Sequence, residues 1–159
     1  MEKQDILPVR KTTRLKDHDY SVLHAYFITI CSFNKKPYFV KDDLNESVVS
    51  CIKEEAKRTG FLVYVYCLMP DHLHLLLSPP GDGVSVSGFI GGLKSKTTRI
   101  AWDFKIQGKL WQGRFYDHIL RGKEKMGVVG EYILNNPVRK GLVDDWRKYQ
   151  YCGIINAWK

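Results

Sequence analysis

The alternation of apolar and polar residues along the chain predicts an α+β fold. Short runs rich in β-branched and aromatic residues predict strands, and apolar residues repeating every three or four positions predict helices. The predicted strands cover 24–33, 61–69, 72–78 and 111–122, and the predicted helices cover 42–60, 85–104 and 123–136. This β-α-β-β-α-β-α order is typical of a ferredoxin-like antiparallel sheet with helices packed on one face.

The length of the chain, 159 residues, predicts a single domain over 1–159 with a sizeable core. The first 18 residues are polar and basic and predict a loose arm, while the aromatic tail after Trp146 is expected to pack back on the body. No apolar run approaches the ~20 residues that span a bilayer, and the N-terminus lacks the apolar core of a signal peptide. We therefore expect a cytoplasmic protein that does not enter a membrane.

Two histidines stand out in the apolar stretch "LMPDHLHLLLSPP" at 68–80. On a strand, His72 and His74 share one face and Leu73 and Leu75 share the other. Side chains two apart on one face are about 7 Å apart, close enough for both imidazoles to reach one divalent metal. Two ligands do not hold a metal, so a third is needed, and a pair of histidines satisfied within the protein is the alternative. Asp71 can orient a histidine or form the turn, and the turn is favoured.

The stretch "EYILNNPVRKGLV" at 131–143 offers further polar candidates. Tyr132 and Asn136 are four residues apart, so on the predicted helix they stack on one face, at the edge of its apolar stripe. Taken singly, Tyr132 is equally an aromatic at the edge of the core, and Asn136 a helix-terminal residue before Pro137. The residues alone leave both interpretations open.

The charge balance favours a polyanionic partner. The chain has 25 Lys and Arg against 17 Asp and Glu, a formal net charge of +8, and nucleic acid is the commonest polyanion. The four cysteines are far apart and form no CxxC pair, which argues against a structural zinc knuckle.

Three motifs together resemble one known family. "MPDHLHLLLSP", "WQGRFYDHILR" and "YILNNPVRKGLV" resemble the REP-associated tyrosine transposases, a branch of the HUH single-tyrosine transposase superfamily. The resemblance runs from about Tyr26 to about Trp146, and the third motif, Tyr132 to Val143, is specific to this branch.

The resemblance implies a site and a reaction. His72 and His74 would bind a divalent cation, Mg²⁺ or Mn²⁺, which Asn136 would complete, and Tyr132 would be the nucleophile. The helix carrying Tyr132 would lie against the face that holds the histidines. The enzyme would cleave and rejoin single-stranded or hairpin DNA, at REP-like repeats or element ends, through a 5′-phosphotyrosine intermediate. His118 matches a recurrent family position to which we assign no role. Relatives in the superfamily act as dimers and this branch as monomers, so both states stay open.

With DNA as the implied partner, the basic residues become candidates for phosphate contacts, and aromatic side chains become candidates for stacking on unpaired bases. A solvated basic surface and packed core aromatics are the alternatives. The candidates for DNA binding are Lys94, Lys96, Arg99, Trp111, Arg114, Arg121, Arg139 and Lys140, with Phe115 as a second stacking aromatic.

Two other functions stay open. A ferredoxin-like sheet with excess positive charge also describes non-catalytic nucleic-acid-binding modules, which use aromatic platforms on the central strands where this chain has histidines. A hydrolytic metallo-phosphodiesterase would let water attack the phosphate instead of Tyr132. These alternatives differ in what they predict for the Tyr132 hydroxyl.

Overall fold

A computed structural model describes residues 24–81, 83–121 and 123–158 of the chain, so the predicted basic arm lies outside the described residues. It confirms the ferredoxin-like α+β fold, as a five-stranded antiparallel sheet in the order β4-β1-β3-β2-β5. The elements are β1 (Ala25–Cys31), α1 (Asp42–Thr59), β2 (Leu62–Met69), β3 (His72–Ser78), α2 (Val86–Asp103), β4 (Tyr116–Leu120), α3 (Lys123–Leu134), α4 (Asn136–Arg139) and β5 (Cys152–Ile154). Within these residues, no helix has the length and hydropathy to cross a bilayer.

Helices cover both faces of the sheet. The central strand, β3, is apolar on one face and has both polar and apolar residues on the other. Leu73, Leu75 and Leu77 of β3 are fully buried in the main core, to which α1 and α2 contribute their apolar sides. The opposite face builds a smaller core in which α3 packs Val129 and Ile133 beside Leu76. Helices α1 and α2 therefore share one face, as the pattern predicts, and α3 lies on the histidine face, as the family resemblance implies.

Several boundaries differ from the predicted ones for local reasons. Strand β4 begins at Tyr116 rather than 111, since the preceding segment forms only an isolated bridge, between Trp111 and Ser32, just after the end of β1. Helix α3 ends at Leu134, before the predicted end at 136. Pro137 does not end this helix but lies in the first turn of α4, a position that suits proline. The aromatic tail packs on the body by adding β5 to the edge of the sheet beside β2.

A buried carboxylate joins α1 to α2. Glu55, only 2% exposed, accepts hydrogen bonds from Arg58 at 2.8 Å and from Lys96 at 2.6 Å. These two cations lower the pKa of Glu55 to about 2. A Cβ atom at Gly92 would come within 3.0 Å of Glu55 Oε2, so the close approach of α2 to this carboxylate requires a glycine there. Lys96, which is predicted to contact phosphate, has its ammonium group paired with Glu55 in this structure.

The neighbouring glycines of α2 provide a matched test of this contact. We expect Gly91→Ala to raise the free energy of unfolding by about 0.5–1 kcal/mol, since a Cβ atom there meets open space and alanine is the better helix former. Gly92→Ala should give less stability than Gly91→Ala, because the new methyl group displaces a carboxylate held by two cations. Urea unfolding of both variants measures the difference in the free energy of unfolding. An equal increase in both would show that a methyl group at position 92 does not disturb Glu55.

Candidate active site

The two histidines lie together on the face of the sheet that α3 covers. His72 and His74 alternate with buried leucines along β3, so their rings project to the same side, with centroids 4.6 Å apart. The turn before them is fixed by two backbone hydrogen bonds, from Ser32 N to Asp71 O at 2.9 Å and from Phe39 N to Pro70 O at 3.0 Å. The strand alternation thus brings together the pair that the sequence predicts.

Each imidazole uses its Nδ1 atom for a contact within the protein. His72 Nδ1 donates to Asp71 Oδ1 at 2.7 Å, and His74 Nδ1 lies 2.9 Å from Thr29 Oγ1 on the neighbouring strand. Such contacts orient a ligand histidine and leave Nε2 on the other side of the ring for a metal. Asp71 lies in the turn, as expected, and its carboxylate orients His72 as well.

Asn136 contacts His72 on the Nε2 side of the ring, opposite to Asp71. This residue is 3% exposed, and its Nδ2 atom donates to His72 Nε2 at 3.0 Å. Asn136 is the first residue of α4, which follows α3 after the single turn residue Asn135. Asn136 and Tyr132 are therefore on two consecutive helical segments rather than one helix, and both still face the sheet.

Tyr132 is separated from the histidines by one aromatic ring. The Phe27 ring contacts His74 on one side, with centroids 5.3 Å apart, and Tyr132 on the other, with centroids 6.0 Å apart. Tyr132 is half-buried. The guanidinium of Arg139 lies 3.8 Å from the centre of the Tyr132 ring, and its Nη1 atom donates to the Tyr132 carbonyl oxygen at 2.7 Å. Arg139 therefore holds both the ring and the backbone of the tyrosine.

Burial and positive charge keep the imidazoles neutral. Burial lowers the pKa of His72, which the Asp71 carboxylate partly opposes. Burial lowers the pKa of His74 well below its ordinary value, and the nearby His72 and Arg139 lower it further. Neutral imidazoles carry the lone pairs that a metal needs, while Arg139 and Lys140 provide positive charge beside them.

The residues present could hold a divalent cation after one rearrangement. The Asn136 amide nitrogen now donates to His72 Nε2 at 3.0 Å, and a metal would have to replace this hydrogen bond. Turning that amide would present its Oδ1 atom instead of its Nδ2 atom. No three His, Cys, Asp or Glu side chains of the described residues form a metal-binding group. A metal at this place would therefore depend on the amide oxygen and on water as well as on the histidines.

The cations predicted to bind DNA fall into three groups. Arg139 and Lys140 follow Asn136 and lie beside the histidines. Helix α2, with Lys94, Lys96 and Arg99, packs on the opposite face of the sheet. Arg114 and Arg121 are exposed on either side of β4. The structure therefore places only Arg139 and Lys140 of this set next to the imidazoles.

Trp111 and Phe115 are core residues, which corrects the expectation that they stack on bases. Trp111 is 4% exposed, packs against Phe39 with ring centroids 4.9 Å apart, and donates its Nε1–H to Thr97 Oγ1 at 2.8 Å. Phe115 is buried in the same core. Neither side chain offers a face to a base.

Two residues of the site were not predicted. Thr29 and Phe27 lie on β1, and their contacts with the site follow from the register that pairs Thr29 with His74. A polar residue alternating with Ile28 and Ile30 is the one signal for Thr29 in the sequence. His118, which has no assigned role, pairs with Phe27 across β1 and β4 and so shares this face.

Comparisons with known proteins agree with this architecture. The family described as "Transposase IS200 like" matches residues 20–136. A Haemophilus influenzae protein named as a REP-associated tyrosine transposase is 28% identical over 142 residues, which cover 80% of each chain. A solved REP-associated tyrosine transposase bound to a REP hairpin superposes with a TM-score of 0.74 at 19% identity, over 87% of this chain and 81% of that one.

A second solved structure, of a transposase from Deinococcus radiodurans, gives a TM-score of 0.54 at 20% identity, over 78% of this chain and 97% of that one. Both structural likenesses show the same fold. With the family match covering most of the chain, the resemblance to REP-associated tyrosine transposases is confirmed, and the chain belongs to the family of IS200-like transposases.

Proposed function

We propose that this transposase cleaves and rejoins single-stranded or hairpin DNA, with Tyr132 as the nucleophile and a divalent cation, Mg²⁺ or Mn²⁺, at His72, His74 and Asn136. One observation supports it above the others. His72, His74 and Asn136 form a largely buried group of uncharged side chains. The half-buried Tyr132 and the cations Arg139 and Lys140 lie beside this group. The solved relative bound to a REP hairpin supports hairpin DNA as the substrate.

The reaction is a transesterification. The Tyr132 oxygen attacks the phosphorus in line, the bond to the 3′ oxygen breaks, and a 5′-phosphotyrosine forms. The phenolic proton passes to solvent, and the departing oxygen takes up a proton to become a 3′-hydroxyl. A bound Mg²⁺ or Mn²⁺ supplies Lewis-acid polarisation of the phosphate. Rejoining is the reverse attack by a 3′-hydroxyl, and no ATP is consumed because the bond energy is kept in the phosphotyrosine.

The protein's own residues then have separate tasks. Burial keeps His72 and His74 neutral, and they offer Nε2 because Asp71 and Thr29 take their Nδ1 atoms. Arg139 holds the Tyr132 ring and carbonyl, which limits the directions in which the phenol can point. Lys140 adds positive charge where the phosphate has to bind. A cytoplasmic location and the oligomeric state, monomer or homodimer, stay predictions.

The decisive experiment looks for a covalent adduct. We expect the wild type with Mn²⁺ to form an SDS-stable protein–DNA adduct on a labelled pool of hairpins with randomised single-stranded flanks. Tyr132→Phe should form none, since the phenylalanine has no oxygen to attack. Tyr116→Phe is the matched control, because Tyr116 is also on the histidine face, paired with Thr29, and should keep the adduct.

The same assay separates the alternatives. Cleavage that survives Tyr132→Phe would indicate a hydrolase in which water attacks. Binding of the pool without any cleavage in the wild type would indicate a non-catalytic module. Sequencing the captured DNA identifies the hairpins that react.

Metal binding gives an independent prediction. We expect His72→Ala and Asn136→Ala to weaken Mn²⁺ binding by about tenfold or more, and Asp71→Asn to weaken it by roughly 10- to 100-fold through loss of the orienting carboxylate. Tyr132→Phe should bind Mn²⁺ as the wild type does. Isothermal titration without DNA measures these affinities, and an unchanged affinity in His72→Ala would exclude the histidine pair as the metal site.

Arg139 provides a test of positioning. Lysine keeps the charge but lacks the planar group that stacks on the ring and bonds the carbonyl. We expect Arg139→Lys to lower the rate of adduct formation by about tenfold with DNA affinity nearly unchanged, and Arg139→Gln to lower both. Single-turnover kinetics and a binding titration separate the two effects. A wild-type rate of adduct formation in Arg139→Lys would mean that Arg139 contributes only its positive charge to DNA binding.

A further inference from the structure

A groove on the opposite side of the sheet from the histidines has the character of a nucleic-acid site. It lies between α2 and the loop that leads to β4, has a volume of about 480 Å³, and has Trp111 in its lining. Three cations line it, Lys94, Arg99 and Lys109, and no acidic residue does. We call it the Trp102 groove, after the tryptophan at its rim.

Trp102 is the exposed aromatic that this groove offers. Its side chain is on the last turn of α2 and is 52% exposed. Its indole Nε1–H donates to Gly108 O at 2.9 Å, which fixes the ring beside the loop while leaving much of it open to solvent. An exposed aromatic ring among cations is the combination that binds unpaired nucleotides, since phosphates pair with cations and bases stack on the ring.

The cations of the groove are available for phosphates. Lys94 Nζ donates to the Arg114 carbonyl oxygen at 3.4 Å, and Arg99 Nη1 donates to Ser95 Oγ at 2.9 Å. Lys109 Nζ lies 5.7 Å from the centre of the Phe33 ring. These are contacts with neutral groups, and within the described residues no ion pair like that of Lys96 with Glu55 is formed by the three cations. Arg99 also lines the neighbouring acidic groove, so Lys94 and Lys109 are the cations that belong to the Trp102 groove alone.

The groove on the other side of α2 shows the contrast. That groove, of about 850 Å³, lies between α1 and α2 and has four carboxylates in its lining, from Asp43, Glu46, Glu54 and Asp103, against two cations. A phosphodiester strand would be repelled there. Charge therefore favours the Trp102 groove for a polyanion.

The segment that lines the Trp102 groove lies near the histidine end of β3. This segment is bonded to the end of β1, from Gln112 N to Cys31 O at 2.9 Å. Cys31 in turn pairs with His72 of β3. Two interstrand steps, about 10 Å, thus separate the backbone at the groove from the backbone at the active site. A strand that leaves the active site would have to pass around this end of the sheet to reach the groove on the opposite face.

We propose that the Trp102 groove binds an unpaired segment of the DNA strand that continues from the cleaved bond. The phosphates of this segment bind Lys94, Arg99 and Lys109, and one base stacks on Trp102. This inference rests on the proposed function for the identity of the strand, but its binding can be measured without cleavage.

The test measures binding of a fluorescein-labelled oligothymidylate of about 20 nucleotides by anisotropy at low salt without divalent metal. We expect the wild type to bind it, and Trp102→Ala to weaken binding by about tenfold, with Trp102→Phe keeping most of the affinity. Lys109→Glu should weaken binding by about threefold or more, and the matched control Lys57→Glu, an exposed lysine on α1, should not. Affinity for a blunt duplex of the same length should change little in Trp102→Ala.

Wild-type affinity for oligothymidylate in both Trp102→Ala and Lys109→Glu would overturn the proposal, as would a wild type that does not bind the oligomer. An equal loss on the duplex would overturn the assignment to an unpaired strand. If Trp102 supports binding but Tyr132 forms no adduct on any DNA, binding of an unpaired strand in the Trp102 groove is supported and the proposed catalytic function is wrong.

Discussion

The period-two alternation of β3 is the constraint on which the fold and the site both depend. This strand is bonded along both edges, to β1 and to β2, and helices cover both of its faces. Leu73, Leu75 and Leu77 face the main core, and burying each contributes about 1.5–3 kcal/mol. The same alternation turns His72 and His74 to the other face. A slip of one residue in register would exchange the leucines and the histidines, so the hydrophobic core itself fixes the imidazoles in place.

Burying two imidazoles is costly unless their nitrogen atoms are hydrogen-bonded. The structure meets this requirement with partners from three different elements. Thr29 comes from β1, Asp71 from the turn before β3, and Asn136 from the start of α4. Because Asp71 and Thr29 take the two Nδ1 atoms, they also decide which nitrogen faces the site. The groups that make the burial of the histidines tolerable are thus the groups that prepare them to bind a ligand.

The parts of the site that are close in sequence or follow a strict period were predictable. The shared face of His72 and His74 follows from strand geometry, and the fold class follows from the order of elements. The roles given to Tyr132 and Asn136 needed the family resemblance, since a helix with these two residues at its edge is common. Their nearness to β3 depends on how α3 packs, which no local pattern encodes.

Other features depend on pairings that the sequence does not reveal. Trp111 has the composition of a base-stacking residue, but its indole finds Thr97 and Phe39 in the core. Trp102, nine residues earlier in the chain, occupies the exposed position that was expected of Trp111. Lys96 was expected on a basic surface and instead pairs with Glu55, a carboxylate from another helix. Exposure and ion pairing are properties of the packed helices, and hydrophobic periodicity alone does not fix them.

Two consecutive helical segments carry the candidate nucleophile, Tyr132 on α3, and the histidine partner, Asn136 on α4. Backbone hydrogen bonds of helical type continue across Asn135, from Asn135 N to Glu131 O and from Arg139 N to Asn135 O. Asn136 contacts His72, and Arg139 lies over the Tyr132 ring. The segment from 132 to 139 is therefore held at its middle by an imidazole and at its ends by its own arginine. A displacement of α3 along the sheet would disturb Tyr132 and Asn136 together, so the packing of Val129 and Ile133 is part of the site's geometry.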